Sequence, residues 1–304
     1  MTQATTVTKT LRTLKGVRIL SLALNMPGPA ALMRCRQMGA TCVKLEPPAP
    51  AGAPAGGSGD PMAYYNRKAY DDMHEGMRLV SGDLKTEKGQ KTLHRELAKT
   101  DVLLTSFRPS ALKKLGLDWS ALKKQYPKLS MVVIVGAPGA RAEEPGHDLT
   151  YLAENRLVNG LELPPTLYAD MGGSLMASEA ILKAHIHCLQ SGKGAFLEVA
   201  LSEAAAYLAL PRKWGLTAPG AALAGCHAGY RVYPCKDGRV AMAALEPHFA
   251  ARLGAAVGLE KTGMSAMLIP QTQTAVAAFL ANKTCKQLDS WGTEKDIPLY
   301  TMKG

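Results

Sequence analysis

Short apolar segments alternate with helix-like segments between residues 17 and 201, and this alternation limits the possible folds more than any other feature of the chain. The apolar segments read VRILSLAL, ATCVKLE, DVLLTSF, LSMVVIVGA and AFLEVAL. The first helix-like segment, PGPAALMRCRQMG, opens on Pro and closes on Gly39, and a longer Ala-rich one spans about 174–191. Mostly apolar runs indicate strands buried on both faces, as in a parallel sheet covered by helices. The sequence therefore predicts an α/β fold with a Rossmann-like parallel sheet.

The pattern changes after the segment AFLEVAL. YRVYPCKDGRVAMAAL indicates a β-hairpin that turns at Asp237-Gly238, and EPHFAARLGAAVGL and QTAVAAFLAN are typical of helices. We therefore predict a large α/β domain over residues 1–205 and a small α+β domain over residues 206–284. The final residues, 285–304, are predicted to return to the large domain.

Composition limits the class of protein. Hydrophobic residues make up 47% of the 304 residues and charged residues 20%, which is typical of a chain that buries a sizeable core. No apolar run reaches the roughly 18 residues that span a bilayer, so no membrane segment is expected. The first 45 residues hold seven Lys or Arg and no acid, but a strand begins near Val17 and no removable presequence is expected. A Pro/Gly/Ala-rich stretch over 47–61 is predicted to be a loop.

The six cysteines lie far apart in the sequence, without a CxxC pair or a close Cys/His cluster. This spacing argues against a zinc site and against a disulfide framework, and it favours a reducing compartment. We therefore expect no metal and a cytoplasmic location.

The formal net charge of +11 indicates an anionic partner or a well-solvated surface. Nucleic acid and a polyanionic small molecule would both exploit such a charge. Aromatic residues are only 6% and no basic run reaches five residues, so nucleic acid is the more distant alternative. The Lys pairs at 113–114 and 123–124 are typical of solvated helix faces, and charge alone does not decide.

The sequence lacks the glycine loops that bind nucleotide phosphates. No GxxxxGK followed by Ser or Thr is present, and no GxGxxG follows the first strand. NMPGPAAL stands there instead and lacks the glycine spacing that a dinucleotide pyrophosphate needs. Hydride transfer is therefore disfavoured.

A longer motif does resemble a known family. The stretch SGDLKTEKGQKTLHRELAKTDVLLTSFRPSALKKLGLDWSALKKQYPKL resembles the signature region of the class III CoA-transferase family, the CaiB/BaiF type. In that family a DLKT segment and an FRP segment flank the CoA site. The opening PGPAALMRCRQMGATCVKLEPP is also similar, and the resemblance runs collinearly over about residues 14–300. It implies acyl-CoA as the substrate, no other cofactor and an interlocked homodimer.

Three further motifs resemble the α-methylacyl-CoA racemase branch of this family: GHDLTYLA, LYADMGG and ALEPHFAARL. The resemblance implies that His147 and Asp170 are the two acid/base residues. It also implies that Glu246, in the small domain, supports the histidine. Asp148 falls where the transferase branch is expected to carry its nucleophilic aspartate.

The chemistry of racemisation is consistent with this set. Inverting a carbon next to a thioester carbonyl requires a proton to leave one face and another to return on the opposite face, and a His with a carboxylate suits this task. The developing enolate oxygen needs hydrogen-bond donors, which we expect from backbone N–H groups at a helix start after Asp170, in DMGGSLMAS.

Each residue also has a structural interpretation. Asp170 is a candidate helix cap, His147 a structural histidine and Glu246 an acid in the first turn of a helix. Taken together, and in the order that the family has them, the three favour function.

Basic residues are candidates for binding the CoA phosphates. Arg108 in SFRPS and the pair Arg67-Lys68 in YYNRKAY are the leading ones, and Lys85 and Thr105 lie in the matching motifs. The alternative for Arg67 and Lys68 is a solvated basic surface.

Three functions follow from these features. The leading one is a racemase that inverts the α-carbon of 2-methylacyl-CoA thioesters. The second is a CoA-transferase with Asp148 as nucleophile, through an acyl anhydride and a CoA thioester. The third is an acyl-CoA-binding protein without turnover, which the first loop permits because it reads LNMPGP where the family has GxGPGP.

Overall fold

The computed structural model describes residues 11–53, 57–259 and 263–304. The chain divides into two compact units, Met1–Ala209 and Leu210–Gly304. The N-terminal segment considered above as a presequence lies mostly outside the described residues, as do three residues of the predicted loop over 47–61. No helix in the described ranges has both the length and the hydropathy needed to cross a membrane.

The first unit is built on a six-stranded sheet in which every pair of neighbouring strands is parallel. The strands are β1 Arg18–Ser21, β2 Thr41–Glu46, β3 Arg78–Ser81, β4 Val102–Thr105, β5 Ser130–Val135 and β6 Phe196–Ala200. Their order across the sheet is β3-β2-β1-β4-β5-β6. The predicted parallel α/β sheet is therefore confirmed, with β3 as an edge strand that the sequence analysis missed.

Helices cover both faces of this sheet. They are α1 Pro27–Gln37, α2 Met62–Tyr65, α3 Arg67–His74, α4 Glu87–Leu97, α5 Pro109–Lys114, α6 Trp119–Gln125, α7 Asp148–Glu154, α8 Tyr168–Ser191 and α9 Leu201–Leu208, with a 3₁₀ turn at Gly139–Glu143. Successive strand residues point to opposite faces: Ile19 joins one apolar cluster and Leu20 the other. Both faces are buried, which explains why the strands are apolar throughout.

Helix α8 begins at Tyr168, about six residues earlier than the sequence suggested. Asp170 therefore lies inside the first turn of the helix, and the expected helix start after Asp170 is wrong. The residue before the helix, Leu167, offers no side-chain cap. The first turn instead uses a carboxylate from another segment, as described below.

The second unit contains a three-stranded antiparallel sheet in the order β7-β8-β9. Its strands are β7 Tyr230–Cys235, β8 Gly238–Ala243 and β9 Leu299–Lys303, and its helices are α10 Leu210–Lys213, α11 Pro247–Ala256, α12 Met264–Met267, α13 Pro270–Ala281 and α14 Cys285–Lys295, with a 3₁₀ turn at Ala222–Ala224. Cys235 pairs with Gly238, so the hairpin turns at Lys236-Asp237, one residue earlier than predicted.

The final segment does not return to the first unit. Residues 285–304 form α14 and β9, and β9 pairs with β8 from Gly238↔Lys303 to Met242↔Leu299. The prediction that this segment joins the large domain is wrong. The edge of β8 that does not pair with β7 pairs with β9, within the same unit.

Candidate active site

A cavity of about 170 Å³ opens at the carboxyl ends of β1, β4 and β5. β1 and β4 are neighbours at the point where the strand order reverses, and parallel α/β sheets bind ligands at such a point. The residues that line it and that concern the chemistry come from the loops after these strands and from α7 and α8: Leu24, Asn25, Ser106, Arg108, Gly136, Gly146, His147, Tyr151 and Asp170. Three of the predicted site residues, His147, Asp170 and Arg108, therefore line the same cavity.

Asp170 is the third residue of α8 and is half-buried in the cavity wall. Burial, together with the smaller effect of the neighbouring charge of Asp148, raises the pKa of its carboxyl from 3.8 to about 6. A carboxyl group with this pKa exchanges a proton readily near neutral pH, which is the property that a general acid/base requires.

Asp148 is buried and does not line the cavity. Its Oδ1 accepts a hydrogen bond from the backbone N–H of Asp170 at 3.0 Å. This carboxylate therefore caps the first turn of α8 in place of Leu167, which makes no side-chain cap. Its Oδ1 is thus turned towards α8, and the nucleophilic role of Asp148 stays a prediction.

His147 immediately precedes α7 and is exposed at the cavity. Thr150 fixes its backbone, because Thr150 Oγ1 accepts from the N–H of His147 at 3.1 Å and donates to its carbonyl at 2.7 Å. Within the described part of the first unit, no side chain bonds the imidazole. Thr150 thus holds His147 at its backbone, at the edge of the cavity.

Tyr151 lies one turn beyond His147 on α7, and the sequence analysis did not select it. Its ring is buried and also lines the cavity. A Cβ placed on Gly136 or Gly146 would come within 2.2 Å and 2.4 Å of the Tyr151 hydroxyl oxygen. Glycine at both positions is therefore what makes room for this hydroxyl.

Among the predicted phosphate-binding residues, Arg108 lines the cavity and the other four do not. Arg108 is exposed, precedes α5 and lines the cavity. Thr105 is wholly buried at the end of β4, and its Oγ1 accepts from the N–H of Phe107 at 3.1 Å. This contact holds the turn after the strand and lies outside the cavity wall. Lys85 is exposed in the loop after β3 and also lies outside the cavity wall.

Arg67 and Lys68 lie at the start of α3, away from the cavity wall. Arg67 pairs with Asp71 at 3.0 Å and Lys68 with Asp72 at 2.6 Å, each four residues along the helix. The side-chain hydrogen bonds to these aspartates raise the pKa of both basic groups. Exposed pairs of this kind contribute little to stability, so a phosphate would compete with them readily.

A buried ionic cluster that the sequence analysis missed holds the loop after β1. Lys44 is fully buried on β2, and its Nζ contacts the carboxylate of Asp60 and lies 3.2 Å from that of Glu46. Asp60 Oδ1 accepts from the backbone N–H of Asn25 at 3.0 Å. Asn25 lines the cavity with a left-handed backbone, φ 61°, so this cluster fixes a strained residue of the cavity wall.

His74 completes this cluster. Its Nε2 lies 2.9 Å from Lys44 Nζ, and its Nδ1 lies 2.6 Å from the carbonyl oxygen of Tyr70. Because a lysine ammonium only donates, Nε2 accepts and the ring proton sits on Nδ1. Burial, followed by the charge of Lys44, lowers the pKa of His74, so the ring is neutral at neutral pH.

Glu246 lies in the second unit, immediately before α11, and is exposed. It makes no side-chain cap to that helix. The helix begins at Pro247, so Glu246 precedes the first turn in which the structural interpretation placed it.

Cys235, Asp237 and Cys285 come together in the second unit, although they are far apart in the sequence. The two sulfur atoms are 3.6 Å apart, and Asp237 Oδ1 accepts from the backbone N–H of Cys285 at 2.6 Å. In the parts of the chain that the structure describes, this is the one group of three side chains spaced to hold a metal ion. The sequence spacing gave no sign of it, because the hairpin and α14 bring these residues together.

Comparisons with known proteins agree with this architecture. The family model for CoA-transferase family III matches residues 14–303. The chain belongs to CoA-transferase family III. The predicted resemblance is thus confirmed, and it covers both units.

The family III relatives of this chain include transferases and racemases. The cinnamoyl-CoA:phenyllactate CoA-transferase of Clostridium sporogenes is 32% identical over 204 residues, which cover 63% of this chain and 50% of the relative. The α-methylacyl-CoA racemase of Mus musculus is 29% identical over 299 residues, which cover 89% of this chain and 72% of the relative. The chain spans about half the length of the first relative, so membership of family III leaves the individual activity open.

Two solved structures share the fold of this family III chain. A hypothetical protein from Mycobacterium tuberculosis superposes with a TM-score of 0.79 at 21% identity, covering 94% of this chain and 83% of the other. A CaiB/BaiF family protein from Brucella suis superposes with a TM-score of 0.75 at 21% identity, covering 96% and 84%. At this identity the likeness establishes the mixed α/β fold alone.

Proposed function

We propose that the protein is an acyl-CoA racemase that inverts the α-carbon of 2-methylacyl-CoA thioesters. The observation that carries this proposal is the presence of His147 and Asp170 in the wall of one cavity, with the pKa of Asp170 raised to about 6. Two proton-transfer groups around one bound carbon are what an inversion requires.

In this mechanism one group removes the α-proton and the other returns a proton to the opposite face. For one enantiomer, ionised Asp170 is the base and protonated His147 is the acid. For the other enantiomer, neutral His147 is the base and protonated Asp170 is the acid. A carboxyl group with a pKa of about 6 is populated in both forms near neutral pH, which suits it to both directions.

The CoA part of the substrate is the only cofactor in this proposal. Arg108, exposed at the cavity, is the proposed contact to a CoA phosphate. Arg67, Lys68 and Lys85 lie farther from the chemistry and are proposed as outer contacts of the nucleotide part. The net charge of +11 supports an anionic substrate of this kind.

The family resemblance supports a homodimer as the active form, with Glu246 as the carboxylate that assists His147. The expected result of light scattering at micromolar protein is a particle of twice the chain mass. An active monomer would contradict this part of the proposal. The free cysteines support a cytoplasmic location.

Incubation with a 2-methylacyl-CoA in deuterated water tests the proposed function. Each enantiomer is supplied separately, and mass spectrometry together with chiral analysis follows deuterium uptake and inversion. A racemase exchanges the α-proton and inverts the centre without any acceptor acid. Neither exchange nor inversion with any branched acyl-CoA, in protein that binds CoA, would refute it and favour a binding protein.

CoA transfer is the second candidate, because a relative at 32% identity is a CoA-transferase. A carboxylate would attack the thioester carbonyl and release CoA, giving a mixed acyl anhydride with the enzyme. The CoA thiolate would then attack the enzyme carbonyl of this anhydride, which breaks the anhydride C–O bond, releases the donor acid and leaves a CoA thioester on the enzyme. The cavity geometry favours Asp170 over Asp148 for this role, because only Asp170 lines the cavity. Transfer of CoA to an added carboxylic acid, lost in Asp170→Asn and retained in Asp148→Asn, would establish this alternative.

A further inference from the structure

Tyr151 lines the cavity between residues of the loop after β5. Its ring is only 6% exposed, and its oxygen lies against Gly136 and Gly146, both of which also line the cavity. Gly146 is the residue before His147, so the hydroxyl sits beside one of the two proposed proton-transfer groups. The negative charge of Asp170, the second proposed proton-transfer group, adds to the effect of burial and raises the pKa of Tyr151.

This hydroxyl makes no hydrogen bond to any residue that the structure describes, although the hydroxyls of other buried tyrosines do. Tyr70 bonds to Glu46 at 3.1 Å, and Tyr233 bonds to the carbonyl of Ala228 at 2.8 Å. The oxygen of Tyr151 is not among the fully buried polar atoms without a partner, so it is open to the cavity although the residue as a whole is buried. The Tyr151 hydroxyl therefore fits a site that is completed by a bound molecule.

The tyrosine is a donor at neutral pH. Burial raises the pKa of Tyr151, the charge of Asp170 raises it further, and Arg108 partly opposes this shift. The hydroxyl keeps its proton, so it can donate a hydrogen bond to an oxygen atom that gains negative charge.

Two of the backbone donors expected from the start of α8 are already used. The N–H of Asp170 is bonded to Asp148, and the N–H of Met171 is bonded to the carbonyl of Leu167. Removal of an α-proton moves an electron pair onto the thioester oxygen, which requires a donor on the cavity wall. Among the described residues, Tyr151 offers such a donor: its hydroxyl has no protein partner and is open to the cavity.

We propose that Tyr151 donates a hydrogen bond to the carbonyl oxygen of the bound acyl thioester and stabilises the enolate that forms there. This inference rests on the proposed racemase function. The α-proton goes to Asp170 or His147, the electron pair of the C–H bond moves to the thioester oxygen, and the proton of Tyr151 stays on its own oxygen. When a proton returns to the carbon, the carbonyl is restored.

Tyr151→Phe is the primary test, because it removes one oxygen atom and keeps the ring. The enolate is common to both directions, so we expect exchange of the α-proton from the two enantiomers to fall by the same factor. Loss of one such donor reduces kcat by about 100-fold to 1,000-fold. We expect KM to change little. Variants of His147 or Asp170, in contrast, should affect the two enantiomers unequally.

Gly136→Ala tests the position of the hydroxyl without removing it. The new Cβ would meet the Tyr151 oxygen at 2.2 Å but the nearest ring carbon only at 3.1 Å. We expect Gly136→Ala alone to lower exchange as Tyr151→Phe does. The double variant Gly136→Ala/Tyr151→Phe should lose little more than Tyr151→Phe, because the atom that clashes is gone.

Tyr126→Phe is the matched control, since the Tyr126 hydroxyl bonds to His94 at 3.0 Å outside the cavity. It should keep the activity of the unmodified protein.

If the unmodified protein exchanges the α-proton and folded Tyr151→Phe exchanges equally fast, the inference is refuted and the racemase proposal stands. An asymmetric effect on the enantiomers would also refute it. If Tyr151→Phe fails to fold, Gly136→Ala decides. An unmodified protein without any exchange refutes both proposals.

Discussion

The carboxylate of Asp148 accepts a hydrogen bond from the backbone N–H of Asp170 at 3.0 Å, and this contact links a buried aspartate to one that lines the cavity. Asp148 fixes the first turn of α8, and its negative charge adds to the effect of burial on the pKa of Asp170. Asp148 thus acts on the chemistry through Asp170. The two aspartates therefore have different roles: Asp170 lines the cavity, and Asp148 holds the backbone of Asp170.

The pH dependence of exchange tests this link. In Asp148→Asn the amide oxygen still accepts the Asp170 N–H, but the negative charge is lost. The pKa of Asp170 should fall from about 6, yet stay above its ordinary value because burial, the larger cause, remains. Since Asp170 must be ionised to act as a base, the acid limb of kcat/KM should move to lower pH. An acid limb that stays in place would show that the two carboxylates do not interact.

Asp148→Ala should destabilise the protein, because the N–H of Asp170 loses its acceptor. Loss of a helix cap together with a partly buried donor costs about 1–3 kcal/mol in the free energy of unfolding. Urea denaturation measures this change. Asp148→Asn should cost less, and equal losses in the two variants would argue against the capping role.

Arg108→Ala should weaken CoA binding. A charge-assisted hydrogen bond to phosphate contributes about 1.5–3 kcal/mol, so the Kd should rise by roughly tenfold to a hundredfold. Isothermal titration with CoA at fixed salt measures the change. Arg95→Ala, on the exposed surface of α4, removes the same charge away from the cavity and is the control. If both variants bind CoA alike, the phosphate contact lies elsewhere.

His74 should make the stability of the protein depend on pH. Its pKa is lowered in the folded protein by burial and by Lys44, so below its ordinary value of 6.5 the unfolded chain takes up a proton that the folded chain does not. The contribution of the neutral ring is thus present above 6.5 and is lost as the pH falls through the lowered pKa. Melting temperatures between about pH 7.5 and pH 5 measure the loss. His74→Gln, which keeps an acceptor for Lys44, should flatten this dependence.

The sequence predicted the parallel sheet well because local composition carries that information. Strands buried on both faces read as apolar runs, as in SMVVIV of β5. β3 was missed because RLVS at the sheet edge is short and exposed, and such a segment lacks this signal. Lys44 would have argued against a buried strand, yet Glu46, two residues along the same strand, and Asp60, from the loop that follows, neutralise it.

The site was predictable only in part. Family motifs selected His147, Asp170 and Arg108, which the structure brings together. The early start of α8 depends on a cap from Asp148, 22 residues away, and no local pattern encodes such a contact. Tyr151 was missed because its exposure to the cavity depends on two glycines from separate loops. A glycine near a tyrosine in the sequence, as in GHDLTY, is too common to serve as a signal.

The two proposed bases should fail differently when each is removed. His147→Ala should stop inversion in both directions, because every turnover needs one group to take a proton and another to return one. Exchange without inversion should survive for the enantiomer whose α-proton faces Asp170. Asp170→Ala should show the complementary pattern, with exchange retained only on the His147 face. Positioned proton transfer contributes roughly a hundredfold to ten-thousandfold, so the lost step should be clear above the background.

Separate incubations of the two enantiomers in deuterated water give this measurement for each variant. Asp148→Asn serves as the comparison, because its carboxylate is turned to the backbone of α8, and it should reduce activity less than either change. Exchange of the same enantiomer in both single variants would contradict the two-face arrangement. Complete loss of activity in Asp148→Asn alone, with His147→Ala active, would instead return the chemistry to Asp148 and to CoA transfer.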